Sequence, residues 1–330
     1  IDSDKIVNLS DELAIRYTDA GHILLSKQCE VYINGGSHTK KILFSSDLGN
    51  IATQDTRVFV EDFKPVSSAN IAIMECTYCS KERQCTKETY KKDIEKIKSV
   101  IEQYCVDNNA RVLIPSFSLD RTPYILWILY SLFGKDANFK VPILIDSPLA
   151  NRLLDCYSSI LEGDKKELFD EMMSWKNVQR IIQPENSKAA IADKGAKIIL
   201  SSSGMLTAGR SIKWTQSILP RESDCILFMG YSGEDTLAWK IKHGKDNKTI
   251  NINGKPFKNK AQIYDLKSFS SHMQRQDMIN YYKSINCEKI YLVHGDSNKI
   301  EFKHDLEDAI SDCLKSIKVV AVNSGTKISL

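Results

Sequence analysis

The chain of 330 residues has no apolar run approaching the ~20 residues a membrane-spanning helix needs, so no membrane partner is expected. Its first stretch, IDSDKIVNLSDELAIRY, lacks a charged segment leading into an apolar one and does not read as a secretory signal. It begins at Ile1 rather than Met, which implies that upstream sequence was removed. Its nine cysteines lack the spacing of a disulfide framework, which argues for free thiols in a reducing compartment, the cytoplasm. Cys76-x-x-Cys79 is answered by no second pair, and Cys85 is an isolated further thiol, so all three are read as ordinary buried or loop cysteines. A net charge of +3 is too small to imply a nucleic-acid partner by itself. No internal repeat or low-complexity linker is visible, so any domain boundary is made by the fold.

What is present is a repeated succession of short apolar strand, small-residue loop and helix. RVLIP at Arg111–Pro115 leads through SFSLDR into an apolar helix over Thr122–Phe133, and Val141–Ile145 ends in DSPLA. Lys197–Leu200 runs into SSSGMLTAGR and a helix from about Ser211; Ile226–Met229 runs into GYSGEDT and a helix over Leu237–His243. Such units predict an α/β fold with a parallel sheet and functional loops at the strands' C-terminal ends. Outside that block, Glu30–Leu43 reads as two strands around Gly35-Gly36, Thr249–Leu266 contains a second hairpin around Asn253-Gly254, and Lys289–Val293 reads as a strand stopping at His294.

Five residues of metal-binding or proton-transfer type sit where apolar runs meet loops: His22 in DAGHIL, Asp47 in FSSDLGN, Glu75 in MECTY, His272 in SFSSHM and His294 in YLVHGD. Any one alone is more simply a satisfied structural residue; together they make a metal site an open alternative. His38 and His304 lack that context and are read as solvated. Ser201-Ser202-Ser203-Gly204 before a helix, with Arg210 adding charge, fits an anion cradle, against the plainer reading of a strand-to-helix turn. Lys240, Lys242, Lys245, Lys248, Lys255, Lys258 and Lys260, with Asp246 as the one acid among them, would attract a polyanion or simply be solvated.

DAGHIL, FSSDLGN, MECTY, VLIPSFSLDRT, ILIDSPLA, SSSGMLTAGR, MGYSGEDTLAWKI, SFSSHM and YLVHGD, in that order, resemble the β-CASP branch of the metallo-β-lactamase family. That branch includes RNase J and the endonuclease subunit of the polyadenylation machinery. The resemblance runs from about Thr18 to about Glu301. It implies part of a metallo-β-lactamase αββα sandwich over 1–75, an inserted Rossmann-like β-CASP domain over 76–268, and a return over 269–330 carrying the RNA-specificity segment. By the same resemblance His22 and His294 are zinc ligands, Asp47 bridges two zinc ions, and Glu75 with His272 forms an acid–histidine pair beside them. Asp19 is a candidate to support the ligands from behind.

The implied function is hydrolysis of RNA phosphodiester bonds by a water activated between two metals. The family's His-x-His-x-Asp-His signature, which supplies two ligands to each zinc upstream of DAGH, is absent from these residues, so the chain as given is expected to be inactive. Leu25 and Ser46 stand where the family has glycine. SGED in GYSGEDT and CTYC in MECTYC also depart from it, in loops that could tune substrate choice. Two other classes remain: a non-catalytic RNA-binding or scaffold subunit, and a small-molecule hydrolase of the same superfamily, which would not need the β-CASP block. RNA is the expected partner and a homodimer is left open. The expected location is the cytoplasm, or the nucleus for a eukaryotic RNA-processing subunit.

Overall fold

The computed structural model describes residues 4–35, 38–79, 85–244, 248–295, 300–311, 317–322 and 325–327. The chain divides into two compact units, one formed by Ile1–Thr86 and Ser271–Leu330, the other by Lys87–Ser270.

Unit one opens with an antiparallel meander: β1 (Ile6–Asn8), β2 (Leu13–Asp19), β3 (Lys27–Gly35) and β4 (His38–Phe44). Tight local connections favour antiparallel neighbours. Glu30 on β3 is fully buried and joins the meander's inner strands, receiving Arg16 of β2 at 2.6 and 2.8 Å and pairing with Lys41 of β4. A buried carboxylate needs such partners, because its desolvation is costly without them. After the short helical turn Ile51–Thr56 the chain returns as β5 (Ile71–Glu75), parallel to β4.

Unit two is the predicted strand–loop–helix block. Its strands β6 (Arg111–Pro115), β7 (Ile143–Ile145), β8 (Val178–Arg180), β9 (Lys197–Ser201) and β10 (Cys225–Met229) are interleaved with helices. These are α1 (Lys87–Ile101), α2 (Arg121–Phe133), α3 (Pro148–Ile160), α4 (Gly163–Ser174), α5 (Pro184–Ala192), α6 (Arg210–Ile218) and α7 (Leu237–Lys242). The residues of β6, β7, β9 and β10 are all buried, as in a parallel sheet covered on both faces. Asn253 and Gly254, both with positive φ, turn the hairpin β11 (Thr249–Ile252) and β12 (Lys255–Lys258). That hairpin is the one expected within Thr249–Leu266, a segment that runs on beyond it. Its last stretch is a separate strand, β13 (Gln262–Leu266), laid parallel on β10, which gives the sheet order β13-β10-β6-β9-β7-β8. Apolar alternation identifies a strand but not its neighbour, and here the neighbour is β10. The strands' C-terminal ends put the loops after Pro115, Ile145, Ser201 and Met229 on one edge of the sheet.

The chain then returns to unit one through α8 (Arg275–Ser284), β14 (Lys289–Val293), α9 (Ile300–Ser311) and β15 (Lys318–Ala321), completing the order β1-β2-β3-β4-β5-β14-β15. β5, β14 and β15 are parallel, and α8 and α9 contribute to a core with Leu43, Ala72, Met74, Ile290 and Leu292. The architecture is therefore α/β, a parallel-sheet domain inserted in the chain of a mixed-sheet domain. Unit one reaches past Glu75 to Thr86 because Cys76, Tyr78 and Cys79 belong to its core, and it resumes at Ser271 rather than 269. Among the described residues no helix is long and apolar enough to cross a membrane.

Candidate active site

Two glycines bring the first two histidine and carboxylate positions together. Gly21, at φ +71°, precedes His22, and a Cβ on Gly49 would lie 2.0 Å from the Gly21 carbonyl oxygen. Backbone therefore touches backbone where only hydrogen fits, and Gly49 N–H donates to Ala20 O at 2.8 Å. The loop after β4 is further fastened to the segment around His272: Asn50 N–H donates to Ser271 O and Met273 N–H to Leu48 O, both at 2.8 Å. β14 runs beside β5 with Val293 opposite Glu75, so the strand ends deliver Glu75 and His294 to the same place. Unit one thus gathers all five strand-end residues.

Asp47 lies among the histidines. Its Oδ1 is 3.0 Å from His294 Nδ1, and its Oδ2 is 3.8 Å from His22 Nε2. The His22 and His272 rings lie 4.3 Å apart between centroids, and those of His272 and His294 6.3 Å. Ligand-type atoms of His22, Asp47 and His272 all lie within 4.8 Å of one another, as do those of Asp47, Glu75 and His294. Imidazole nitrogens and carboxylate oxygens converging at this spacing are a donor set of the kind zinc takes.

Glu75 is built differently from Asp47. It is buried, its Oε1 accepts the Leu48 N–H at 2.7 Å and faces His272 Nδ1 at 3.3 Å, and its Oε2 accepts the Thr77 N–H at 3.0 Å. Burial opposes its charge, but the contacts from His272, Thr77 and Leu48 outweigh that and hold the carboxyl below its usual range. Both oxygens are thus engaged with neighbours, and Nδ1 is the His272 nitrogen that faces the acid. His294 is half out in solvent at 60% exposure, which leaves room for a ligand, and holds a positive φ of 55°.

Leu25 and Ser46, standing where the resemblance has glycine, keep the left-handed backbone, with φ 61° and 52°. The loops around His22 and Asp47 therefore keep a glycine-type conformation without glycine. Asp19 is buried and paired with Lys27, and with Lys64 at 2.9 Å. Cys76 and Cys79 are buried, as read from the sequence, and His304 is exposed beside Glu307 at 3.0 Å.

The loop after β9 corrects part of the anion-cradle expectation. Ser201 is fully buried and donates to Asp146 O at 2.9 Å. Arg210 binds the buried Asp146 carboxylate at 2.6 Å and the carbonyls of Ile181 and Ile182 at 3.1 and 2.6 Å. Asp146 also accepts from Ser187 and Trp214, at 2.6 and 2.7 Å. A buried carboxylate demanded these donors, so Arg210 is anchored to it. The helix begins at Arg210, one residue before the expected Ser211. Ser202 and Ser203 are partly exposed; Ser202 Oγ lies 2.6 Å from those of Ser118 and Ser147, and Ser203 Oγ accepts the Thr207 N–H at 2.8 Å. Gly204 faces the Phe117 ring, where a Cβ would come within 3.2 Å.

Of the lysine stretch, Lys242 is held by Asp265 at 2.7 Å and Gly230 O at 2.7 Å, and Lys260 reaches Glu222 at 3.0 Å. Lys240, Lys248, Lys255 and Lys258 are exposed, while Lys245 and Asp246 lie outside the described residues. Two residues went unmarked in the sequence. Ser45 Oγ accepts the Glu75 N–H at 2.9 Å, and Thr77 Oγ1 lies 3.2 Å from His294 Nδ1. Neither carried a signal, since a lone hydroxyl at a strand end is ordinary turn chemistry.

Comparison with known proteins adds to this geometry. The Beta-Casp domain family matches residues 122–241, and the family described as the Zn-dependent metallo-hydrolase RNA specificity domain matches residues 258–313. The transcription termination factor FttA of Methanocaldococcus jannaschii is 25% identical over 98% of this chain and 51% of its own length. Ribonuclease TTHA0252 of Thermus thermophilus is 25% identical over 87% of this chain and 64% of its own. Endoribonuclease YSH1 of Saccharomyces cerevisiae is 26% identical over 87% of this chain and 37% of its own. The chain thus spans less than two thirds of the length of each of these relatives.

Proposed function

We propose that this chain, which belongs to the β-CASP metallo-β-lactamase family, is the greater part of the catalytic core of a zinc-dependent ribonuclease. The observation that carries the proposal is Asp47, whose two oxygens face two different histidines, His294 and His22. A carboxylate so placed is suited to join two cations, and His22 and His294 would each hold one of them. Zinc bound there supplies neutralisation of phosphate charge and a water acidified to a pKa of about 7.

The chain's own residues do the rest. Glu75 accepts at His272 Nδ1 and fixes the ring, so that Nε2 can give a proton to the departing 3′-oxygen of the cleaved strand. Thr77 ties Glu75 to His294 and keeps the two halves of the site in register. Ser202, Ser203 and the exposed lysines of the β11–β12 hairpin are the groups that would receive the RNA backbone, through hydroxyls and charge. Its partner would be RNA, met in the cytoplasm or the nucleus.

A purely scaffolding role is the weaker reading, because a site free to decay has no reason to keep His22, Asp47, Glu75, His272 and His294 converging. Structural and catalytic zinc sites take three or four protein ligands each, and here His22, Asp47 and His294 would serve two. Residues 1–330 alone are therefore expected to hold zinc weakly and to leave labelled RNA intact, while the full-length protein binds zinc and degrades it. Substituting Asp47→Ala in the full-length protein should remove both metal and cleavage. Unchanged RNA cleavage by that variant would overturn the proposal; two tightly held zinc ions with turnover in residues 1–330 would overturn the ligand assignment.

A further inference from the structure

Cys76 and Cys79 close a four-residue turn directly after β5, with Cys79 N–H donating to Cys76 O at 3.2 Å. Such a turn holds its end Cα atoms less than about 7 Å apart, within the span a disulfide bridges. Both cysteines are free and buried in the unit-one core. Cys76 Sγ also donates to Val293 O at 3.0 Å, one residue before His294.

Gly295 reports what else is there. A Cβ at that position would lie 2.8 Å from Cys76 Sγ and 2.7 Å from Cε of the buried Lys303, so both the sulfur and the lysine chain pack against the Gly295 backbone. Arg275 Nε donates to Cys79 O at 2.9 Å from the other side. Between the two cysteines sits Thr77, whose N–H binds Glu75 and whose hydroxyl lies 3.2 Å from both Nδ1 and the carbonyl oxygen of His294. The turn that carries the thiols is thus the turn that joins the acid–histidine pair to a candidate zinc ligand.

We propose that Cys76 and Cys79 are a peroxide-sensitive dithiol, and that their oxidation to a disulfide loosens the Thr77 contacts and turns the neighbouring site down. The enclosure of both sulfurs selects a small oxidant, hydrogen peroxide, over a bulky disulfide. Cys79 sulfur attacks the O–O bond, giving a sulfenic acid and one water; Cys76 sulfur then displaces the hydroxyl group as a second water. The two thiol protons leave in the waters, and two electrons pass from the sulfurs to the peroxide. The new S–S bond removes the Cys76 donation to Val293 O and draws its sulfur away from the His294–Gly295 loop. A thiol reductant reverses the bond by exchange.

The inference rests on the proposed site only for its consequence, so the two are tested by separate readouts. The full-length protein is treated with hydrogen peroxide and then mapped by peptide mass spectrometry, with zinc affinity and RNA cleavage measured in parallel. The expected result is a Cys76–Cys79 link, whatever the modification at the exposed Cys156. Zinc affinity should fall on the order of 10–100-fold, the size typical of disturbing groups that orient ligands, and recover with dithiothreitol. Cys79→Ser should form no link and keep its zinc affinity through the same treatment; Cys79→Ala serves if the serine variant misfolds. Sulfinic acid at either position without a link, or a link that leaves zinc affinity unchanged, would overturn the inference. Absence of RNA cleavage before oxidation would count against the proposed function alone.

Discussion

His272 and Asp47 both touch the same cluster, yet their surroundings assign them different work. Asp47 is partly open to solvent and lies between two histidines, whereas His272 is backed by a buried acid whose oxygens are already engaged. His272→Ala in the full-length protein is expected to slow cleavage by about 10²–10⁴-fold while zinc stays bound, and Glu75→Gln to cause a smaller loss through the same ring. Single-turnover cleavage of labelled RNA, with zinc counted by mass spectrometry, decides it; near-normal cleavage by His272→Ala removes the proton-donor role. These residues were legible because each stands at the junction of an apolar run and a loop. Leu25 and Ser46 illustrate what was not: the sequence showed a missing glycine, and only the backbone shows that the glycine conformation was kept. A non-glycine residue there costs about 1–2 kcal/mol, and glycine returns roughly 0.5–1 kcal/mol of that as lost chain entropy. Leu25→Gly, at an exposed side chain, is therefore expected to stabilise unit one by roughly 0.5–1 kcal/mol, read from urea unfolding. A destabilised variant would mean that packing of the Leu25 side chain outweighs the strain of its backbone.

At the scale of elements, the buried strands of the parallel sheet were the easiest to read, since RVLIP, KIIL and ILFM are apolar runs bounded by small residues. The partner of Gln262–Leu266 was not readable, because pairing is settled by what the rest of the chain leaves beside β10. Arg210 shows the same limit in a loop. The sequence offers a serine-glycine stretch and an arginine before a helix, which suits phosphate, but a buried carboxylate two strands away in sequence, Asp146, claims the arginine instead. Removing one partner of a buried pair leaves a stranded charge and costs about 3–5 kcal/mol. Arg210→Met is accordingly expected to destabilise unit two by that order while the RNA affinity of the remaining folded protein is unchanged. Urea unfolding and filter binding are the two measurements. Native stability with weakened RNA binding would return Arg210 to the ligand and make its bond to Asp146 incidental.

Across the whole molecule, buried carboxylates are matched by donors, and in unit one Glu30, Asp19 and Glu75 are held in charged form. Burial opposes charge on Glu30, but hydrogen bonds from Arg16 and Lys41 outweigh it; burial is likewise outweighed at Asp19 by Lys27 and Lys64, and at Glu75 by His272 and its amide donors. All three folded pKa values therefore lie below their unfolded ones, about 3.9 for Asp and 4.3 for Glu. A depressed folded value means that the unfolded chain takes up the proton first. The stability these groups contribute is thus fully present above pH ~5 and is lost as pH falls below the unfolded values and through the folded ones. Glu30 ties three neighbouring strands together and Glu75 orients the candidate site, so acid should open β2–β5 and release His272 together. Because a chain of two units need not unfold in one step, a global midpoint is the wrong measurement. Amide exchange, corrected for the intrinsic rate at each pH, resolves the strands individually. Protection of β2, β3 and β4 should fall between about pH 5 and pH 3, and Glu30→Gln should show weaker protection already at pH 7 with a shallower dependence below it. Protection that stays level over that range would show that the charged form of these carboxylates does not stabilise the meander.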